Sequence, residues 1–328
     1  MEYYIGIDIG GTKIAYGLFD AERRLLVKKQ TASDDGKDGE AFFAPVLDVI
    51  GELMREAKER GGRTAGIGIG ITGFVDFENG ALTRTASLPR LNHFPVVAYL
   101  KSRLGEQIPI VLDNDCHCGA LAEYRHGAGR GHRNMLYCPV STGISTGMIL
   151  DGRLFRGSNG ASGESGHMIA AVPKELGMEC SCGNTGCFNS LSSGKAILSY
   201  VRKWIEAGEN SVLPRLAGGI EHITARHINE AYEMGDAVAM RAVEQMAHYL
   251  AIWIFDVYML LNVDCIVFAG GLLAMGDKLF GRIEKEFERY HTNGFPVRFY
   301  KTELGADSGL IGAVELLFDA PGGNGDRE

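Results

Sequence analysis

The sequence predicts an α/β protein built from two related lobes around a cleft. The chain has 328 residues, which the usual domain length divides into about two domains. A strand, a glycine-rich turn and a second strand occur at residues 3–19 and again at 135–150. We therefore expect a small N-terminal lobe of residues 1–118 plus 305–328, and a larger lobe of residues 119–304.

Composition and charge exclude several classes of protein. With 45% hydrophobic and 23% charged residues, the chain is an ordinary globular protein. The net charge of −8, with no dense Lys/Arg run, argues against a nucleic-acid surface. The longest apolar stretch, 249–261, contains Asp256 and is too short to span a bilayer. No secretory signal precedes the first strand, so we expect a cytoplasmic protein without nucleic-acid or membrane partners.

The first lobe is predicted to open with three strands, a helix and a fourth strand. Apolar runs at 3–8 and 14–19 joined by glycines predict a hairpin, and residues 25–30 predict a third strand. Apolar residues spaced three and four apart over 42–58 predict an amphipathic helix. Residues 65–71 alternate glycine with isoleucine, which predicts a strand packed closely against another backbone.

The remaining elements complete the α/β pattern. Residues 108–112 predict a strand ending at Asp113, and a helix is expected to begin near Cys118. Asp151-Gly152 is typical of a two-residue hairpin turn. The other predicted strands are 135–140, 148–150, 265–269 and 297–301, and the other predicted helices are 194–207, 224–233, 236–261 and 309–318. The last helix is expected to pack back on the first lobe.

A histidine and three cysteines predict a zinc site. His167, Cys180, Cys182 and Cys187 match a closed tetrahedral site in ligand type and number. Thiolates with one imidazole suit zinc better than magnesium or calcium. The chain has seven cysteines, an odd number, and no secretory signal, which favours metal binding over the alternative of a disulfide cluster. Four protein ligands leave no open coordination position, so the zinc is predicted to be structural.

The first glycine-rich turn is a candidate phosphate loop. Adjacent Gly10 and Gly11 expose N–H groups that can form an anion-binding nest. Thr12 adds a hydroxyl and Lys13 a positive charge, while Asp8 could hold a magnesium ion through water. The spacing differs from the Walker pattern, and a plain hairpin turn is the alternative.

Two further loops are candidates for nucleotide contacts. Thr142 and Gly143, within Ser141–Gly147, could bind a second part of a polyphosphate. Gly270 and Gly271 follow a buried strand and fit the close approach of a base or ribose. The alternatives are a hairpin turn for the first loop and a tight strand-to-helix turn for the second. A glycine-rich hairpin in each lobe indicates polyphosphate binding more specifically than either hairpin does alone.

The strand end at Asp113-Asn114-Asp115 is a candidate catalytic segment. A carboxylate at the end of such a strand points into the crevice where α/β proteins bind ligands. One of these aspartates could act as general base toward a sugar hydroxyl. An Asx turn or a helix N-cap is the alternative. Glu164 lies three residues before His167, which suggests a metal that shapes a substrate pocket.

Taken together, these motifs resemble the ROK family of sugar kinases, within the sugar kinase, actin and heat-shock ATPase superfamily. The resemblance covers the chain from Ile5 to Phe318 and rests on Asp8–Lys13, Gly70–Asp76, Asn114–Asp115, Gly163–His167 and Cys180–Cys187. It implies two actin-like, ribonuclease-H-like lobes. It also implies ATP, catalytic Mg²⁺ and phosphoryl transfer to a hexose, commonly at the 6-hydroxyl, with glucose the best single guess. A homodimer is what the family implies.

The resemblance also implies the site residues. Asp115 would be the general base, and the sugar would be bound by Gly73, Asn114, Glu164, His167 and Asn189. Zinc would orient His167 and would not activate water.

The sequence departs from the family pattern at three places. Asn189 stands where the family usually has a glutamate that contacts the sugar, so hydroxyl recognition changes while a hydrogen bond stays available. Ser141, Ser145 and Thr146 replace glycines of the second phosphate loop, and Thr72 stands where the family often has proline.

Two other functions compete with a sugar kinase. A catalytically weakened sugar-binding or regulatory member of the family is one, supported by Asn189 and the altered second loop and opposed by the intact Asp115 and Glu164. A DNA-binding repressor is the other, and it is disfavoured because family repressors carry an N-terminal helix-turn-helix whereas this chain begins at the first strand. ATP turnover in the presence of sugar separates the kinase from the binding protein.

Overall fold

The computed structural model describes residues 1–170 and 178–319, and it divides into two compact units. Of the described residues, the first unit holds Met1–Arg133, Gly147–Ser162 and 303–319. The second unit holds Asn134–Thr146 and the described part of Gly163–Thr302. The lobe boundaries predicted from the sequence stay a prediction, and their residues 320–328 lie outside the described part of the chain.

Both units mix strands and helices. In the first unit the strands are β1 (Glu2–Ile9), β2 (Lys13–Phe19), β3 (Leu25–Ala32), β4 (Arg63–Ile71), β5 (Phe74–Asp76), β6 (Ala81–Arg84), β7 (Ile110–Asn114), β9 (Gly147–Leu150) and β10 (Arg153–Leu154), and the helices are α1 (Gly39–Glu59), α2 (Val96–Leu104), α3 (Asp115–His126) and α10 (Ser308–Asp319). In the second unit the strands are β8 (Met135–Pro139), β11 (Cys265–Ala269) and β12 (Arg298–Lys301), and the helices are α4 (Phe188–Ser192), α5 (Gly194–Glu206), α6 (Leu213–Ala217), α7 (Ala225–Glu233), α8 (Ala237–Leu261) and α9 (Phe280–Tyr290). Short 3₁₀ helices cover Pro89–Leu91, Ser165–His167, Ile220–His222, Gly271–Lys278 and Gly305–Asp307.

The first unit is built on a five-stranded sheet in the order β3-β2-β1-β4-β7. The predicted hairpin is confirmed, since β1 and β2 pair antiparallel, with β3 antiparallel beyond them. Strands β4 and β7 extend the sheet in parallel with β1. Because the carboxyl ends of β1, β4 and β7 meet at one edge, the Gly10 turn and the Asn114–Asp115 segment leave the sheet on the same side.

The alternation of glycine and isoleucine in β4 lets the two faces of the strand pack against different elements. Ile67 and Ile69 are fully buried in the core that α1 closes. On the opposite face, a Cβ added to Gly68 would lie 1.7 Å from the carbonyl oxygen of Ala313 in α10. The predicted close approach to another backbone is therefore confirmed, and the last helix packs on the first unit as expected.

Replacing Gly68 with alanine is expected to destabilise the protein by about 3 kcal/mol, near the upper end of the usual cost of overpacking. The backbone of α10 would have to move away from β4 to admit the methyl group. Gly51→Ala is the matched control, because Gly51 lies within α1 with only a flexible Arg55 side chain near its added Cβ. The control should gain about 0.5–1 kcal/mol. Urea unfolding of both variants measures the difference, and equal midpoints would contradict the close packing.

The second unit has a parallel core sheet in which β11 lies between β8 and β12. Strand β11 is buried along its whole length, as its apolar sequence predicts. Helix α8 confirms the predicted long helix and ends at Asn262, which adopts a left-handed conformation with φ 48°. Across residues 1–170 and 178–319, no helix has both the length and the apolar character needed to cross a bilayer.

Several elements differ from the sequence prediction. The helix expected near Cys118 begins at Asp115, because Asn114 caps it and ends β7 directly before it. Helix α9 was missed, although its buried Phe280, Ile283 and Phe287 have helical spacing. Helices α2, α4 and α6 and the short β5–β6 pair were also missed. The Asp151-Gly152 turn is confirmed, since both residues have positive φ between β9 and β10.

Candidate functional site

The candidate catalytic segment lies where β7 passes into α3. The side-chain oxygen of Asn114 accepts hydrogen bonds from the backbone N–H groups of Cys116 (2.8 Å) and His117 (3.3 Å), so Asn114 is the N-cap of α3. Asp115 is the first residue of the helix and is half-buried. A Cβ added to Gly70 would lie 3.6 Å from the Asp115 Cα, so β4 packs directly behind it. The helix cap that we considered for this segment is thus formed by Asn114, and it leaves the Asp115 side chain at the helix N-terminus.

The amide of Asn114 also joins this segment to a neighbouring loop. Its Nδ2 group donates a hydrogen bond of 2.9 Å to the carbonyl oxygen of Gly73. Gly73 has φ +116°, and an added Cβ would lie 2.5 Å from the carbonyl oxygen of Arg84. Only glycine fits there without strain. The structure therefore brings together three of the predicted site residues, Gly73, Asn114 and Asp115.

Beneath this segment, Asp113 is the centre of a buried ion-pair network. Its carboxylate lies 2.7 Å from Nδ1 of His117 and 2.6 Å from Nε of Arg156. Burial alone would raise the pKa of Asp113, but the hydrogen bond with His117 and the charge of Arg156 outweigh it, so the pKa lies below its usual value. Asp113 also accepts a 2.7 Å hydrogen bond from the Asn114 backbone N–H. The network thus holds the backbone of the candidate catalytic segment.

Arg156 and His117 are the residues of this network that sequence reasoning did not assign to the site. His117 lies only four residues after Asp113, and the helix that begins after the Asn114 cap brings its ring back to the Asp113 carboxylate. Arg156 follows β10 and has no local signal, because its contact with Asp113 spans 43 residues of sequence.

The Asp113 network is expected to make stability pH-dependent in the acid range. Because the pKa of Asp113 is lowered in the folded protein, its contribution is present above the unfolded-state pKa of about 3.9 and is lost as pH falls through the folded-state value. Asp113→Asn should therefore cost about 3–5 kcal/mol at pH 7, and progressively less below about pH 4. Asp34→Asn, which removes an exposed pair with Lys37, is the control and should cost about 0–1 kcal/mol. Urea unfolding between pH 3 and pH 7 measures both, and a difference independent of pH would contradict the network.

The first candidate phosphate loop is a tight turn between β1 and β2. The backbone N–H of Gly10 donates to the carbonyl oxygen of Lys13 (3.0 Å), while Thr12 and Lys13 are exposed. Gly11 packs against Ser87, since an added Cβ would lie 2.9 Å from the Ser87 Cβ. The hairpin turn that we considered as the alternative is therefore present, and its exposed tip carries the hydroxyl and the ammonium group.

Asp8, at the end of β1, lies against the N-terminus of α10. A Cβ added to Gly309 would lie 2.5 Å from its carboxylate. Burial raises the pKa of Asp8, and the positive charge of Lys13 opposes that rise. A half-buried carboxylate of this kind suits a hard cation such as Mg²⁺, which would favour the ionised form.

The second candidate phosphate loop lies in the second unit, at the N-terminus of α5. The carbonyl oxygens of Ser141 and Thr142 accept backbone hydrogen bonds from the first residues of that helix at 2.7 and 3.2 Å. Thr142 and Gly143 are exposed. Thr146 is buried, and its hydroxyl lies 3.0 Å from the hydroxyl of Ser165, so its side chain is directed into the unit.

The third candidate loop follows β11. Gly270 has φ +95°, and an added Cβ would lie 2.4 Å from the carbonyl oxygen of Val140. The tight turn considered for this loop is therefore present at Gly270, where two backbones cross. Gly271 is exposed, and no atom of the described residues lies within 4 Å of an added Cβ. This leaves the Gly271 backbone accessible to a ligand.

The predicted zinc ligands converge in the second unit. One ligand atom from each of His167, Cys180, Cys182 and Cys187 lies within 4.8 Å of all the others. The Sγ atoms of Cys182 and Cys187 are 3.6 Å apart, and Nδ1 of His167 is 3.4 Å from Sγ of Cys180. Two sulfurs on a tetrahedral zinc ion lie about 3.8 Å apart when the Zn–S bonds are about 2.3 Å. The residues present therefore fit a zinc ion closely.

The thiols of the cluster differ in their ionisation. Burial, with the hydrogen bond to Cys182, raises the pKa of Cys187 to about 12. The backbone N–H of Asn184 lowers the pKa of Cys182. Since zinc binds the thiolate, a bound ion would have to displace the proton of Cys187, and metal binding would release protons.

Two further predicted site residues surround this cluster. Oε2 of Glu164 lies 3.7 Å from Nε2 of His167, the ring nitrogen that faces away from Cys180. Asn189 accepts a 3.1 Å hydrogen bond from the backbone N–H of Ile144 and places its Nδ2 group 4.0 Å from Sγ of Cys180. Asn189 therefore connects the zinc ligands with the second candidate phosphate loop.

Comparison with known proteins places these motifs in one family. A model of the ROK family matches residues 4–320. A glucokinase of Halalkalibacterium halodurans is 30% identical over 319 residues, covering 96% of this chain and 94% of the glucokinase. A putative xylose repressor of a Caldicellulosiruptor species is 29% identical, covering 95% of this chain and 77% of the repressor.

A solved structure agrees with the fold. The chain is similar to a ROK family glucokinase from Streptomyces griseus, crystallised with glucose and AMPPNP, at 31% identity and a TM-score of 0.78. The likeness covers 96% of this chain and 98% of that protein. The predicted α/β fold of the actin-like class is confirmed.

Proposed function

The chain belongs to the ROK family and is a sugar kinase. We propose that it transfers the γ-phosphoryl group of ATP to the 6-hydroxyl of a hexose. Glucose is the first acceptor to test, because the similar Streptomyces griseus enzyme was crystallised with glucose and AMPPNP. The observation that carries the proposal is Asp115, half-buried at the N-terminus of α3 and directly after Asn114, which caps the helix and donates a hydrogen bond to Gly73.

In the proposed reaction, Asp115 accepts the proton of the sugar hydroxyl as its oxygen attacks the γ-phosphorus and ADP leaves. Catalysis otherwise rests on positioning and charge stabilisation, as phosphoryl transfer generally does. Magnesium bound with ATP would neutralise charge on the phosphoryl oxygens, and Asp8 is the residue that would hold it. Lys13 and the N–H groups of Gly10 and Gly11 would bind phosphate oxygens, with Thr142, Gly143, Gly270 and Gly271 as further nucleotide contacts.

A structural zinc ion would give the sugar-binding residues a fixed geometry. With Nδ1 on the metal, the ring of His167 would present Nε2 toward Glu164. The 3.7 Å separation leaves room for a sugar hydroxyl that donates to the carboxylate and accepts from the ring nitrogen. Ligating histidines commonly have such a carboxylate partner, which fixes the tautomer and the orientation of the ring.

Asn189 is proposed to contribute to sugar selectivity. Asn189→Glu would keep an acceptor for the Ile144 N–H but would remove the amide donor and place a negative charge near the Cys180 sulfur. We expect the ratio of kcat/KM values between glucose and N-acetylated hexosamines to change by about tenfold, the effect of a hydrogen-bond difference of about 1.4 kcal/mol. Initial rates on both sugars measure it, with Asn210→Glu, the same change at an exposed asparagine outside the cluster, as the control. An unchanged ratio would show that Asn189 does not contact the sugar.

A sugar-binding regulatory protein is the second candidate, favoured by the likeness to the xylose repressor and by Asn189. Such a protein would bind sugar without turning over ATP.

A homodimer is proposed from the family resemblance, and light scattering coupled to size-exclusion chromatography tests it.

A coupled ADP-release assay with Mg-ATP over a panel of hexoses and amino sugars tests the kinase and identifies its acceptor. Sugar-dependent release establishes the reaction. If no sugar of the panel raises ADP release, although the protein is folded, zinc-loaded and binds sugar by calorimetry, the regulatory protein is supported instead.

A further inference from the structure

A cavity of about 490 Å³ opens beside the candidate catalytic segment, within the first unit. One wall is strand β5 and the turn that joins it to β6, with Phe74 and Phe77 among its residues. The loop that carries Ser158 and Asn159 also lines the cavity. Its size lies within the range of about 300–1,000 Å³ typical of sites for small molecules. None of the roles proposed above uses it.

The lining has the chemistry of a carbohydrate site. Two half-buried aromatic side chains, Phe74 and Phe77, give the lining apolar surface, while Ser158 and Asn159 place a hydroxyl and an amide at the exposed rim. A sugar ring has the complementary arrangement, because its C–H bonds form apolar faces and its hydroxyls project from the edge. Aromatic side chains provide large apolar contact areas, and the polar groups then fix orientation.

The charges of the lining disfavour an anion. Asp76 and Glu78 contribute two carboxylates, against the single guanidinium of Arg84. The side chain and backbone of Asn79 donate to Asp76 at 2.8 and 3.1 Å, and these bonds lower the Asp76 pKa, so it is ionised at neutral pH. A nucleotide or a free phosphate would meet net repulsion here, whereas a neutral polyhydroxylated ring would not.

The walls of the cavity are held in place without a ligand. A Cβ added to Gly160, which has φ +76°, would lie 2.2 Å from the carbonyl oxygen of Val75, so the loop is packed directly on β5. The same loop is anchored at Ser162, whose oxygens lie 3.3 Å from Nε2 of His117. A pre-formed site loses less conformational entropy on binding than a mobile one.

The cavity also adjoins the residues proposed to bind the hexose. Phe74 directly follows Gly73, whose carbonyl oxygen accepts the hydrogen bond from Asn114. The Arg156 guanidinium lies 5.0 Å from the ring centre of Phe77 and forms the ion pair with Asp113. One wall of the cavity is therefore continuous, along the chain and through Arg156, with the candidate catalytic segment.

We propose that this cavity is a subsite for a second sugar ring, so that the acceptor is a hexose linked to another ring and not only a free hexose. The proposal rests on the proposed function, because it places the phosphorylated hexose beside Gly73 and Asn114. The second ring would lie against Phe74 and Phe77, with Ser158 and Asn159 bonding its hydroxyls.

The test compares glucose with maltose, cellobiose and sucrose on the whole protein, by calorimetric binding and by kcat/KM in the ADP-release assay. Ser158→Trp fills the cavity from the exposed loop, and Asn159→Ala removes a rim contact without filling it. Arg90→Ala is the control, since Arg90 is exposed and does not line the cavity. We expect at least one two-ring sugar to bind tenfold or more tightly than glucose. Ser158→Trp should remove that preference, Asn159→Ala should reduce it several-fold, and glucose binding should stay within twofold.

Two results would overturn the subsite: equal or weaker binding of every two-ring sugar by wild type, or a preference that survives Ser158→Trp. The failure of the kinase proposal is distinct. If sugars bind but no ADP is released, the proposed reaction is wrong, and the calorimetric comparison still decides the subsite.

Discussion

Asp115→Asn is expected to lower kcat for sugar phosphorylation by about 10²–10⁴-fold, the usual contribution of a general base. Asparagine has nearly the same shape but cannot accept the proton of the sugar hydroxyl. Asn114 keeps its cap in this variant, and the asparagine oxygen can still accept the 2.8 Å hydrogen bond from the Cys116 N–H, so α3 should begin at the same residue. Loss of a negative charge at the helix N-terminus should cost only about 0.3–1 kcal/mol of stability.

The measurement is kcat and KM with saturating Mg-ATP, together with the calorimetric affinity for the sugar. Asp48→Asn, an exposed aspartate within α1, is the matched control and should retain wild-type rates. Sugar affinity should stay within severalfold of wild type, because the amide keeps a hydrogen-bonding group in place. A variant that turns over at the normal rate would rule out Asp115 as the base.

Cys182→Ser should eliminate bound zinc and lower kcat/KM for the sugar by about 100-fold, the upper end of the effect seen when the surroundings of a metal ligand are altered. Three ligands would remain, but serine is a poor zinc ligand at neutral pH because its hydroxyl stays protonated. Loss of the ion would release His167, and with it the geometry that faces Glu164.

Elemental analysis of purified protein measures this prediction directly, with one zinc per chain expected in wild type. Cys138→Ala is the matched control, because Cys138 is a buried thiol in β8 that does not belong to the cluster. The control should lose some stability to the small cavity it creates while keeping its zinc. Zinc retained at full occupancy in Cys182→Ser would refute the ligand assignment.

Local sequence patterns were sufficient for much of the fold. The hairpin at β1–β2, the alternation in β4 and the long helix α8 were readable because each has a clear period or a glycine turn. The amphipathic helix α9 was missed despite its regular pattern. Strand β5 has three residues, too few for any period to show, and its position depends on β6.

Some contacts of the candidate site could be predicted from the sequence, and others could not. The four predicted zinc ligands cluster because 21 residues contain all of them and two glycines allow the turn, so short-range geometry was enough. The buried role of Asp113 was not readable, since its partner Arg156 comes from a distant part of the chain. The connection of Asn189 to Ile144 was missed for the same reason, because 45 residues separate them.

Incubating the zinc-loaded protein with Mg-ATP and ¹³C-labelled glucose, and identifying the product by NMR, tests the proposed phosphoryl transfer at the 6-hydroxyl. We expect a phosphate ester on carbon 6, formed in proportion to ADP and absent when Asp115→Asn replaces wild type over the same time. An ester on another carbon would contradict the proposed acceptor hydroxyl. ADP formed without any sugar ester, or no reaction from folded protein that binds glucose, would contradict the kinase mechanism itself.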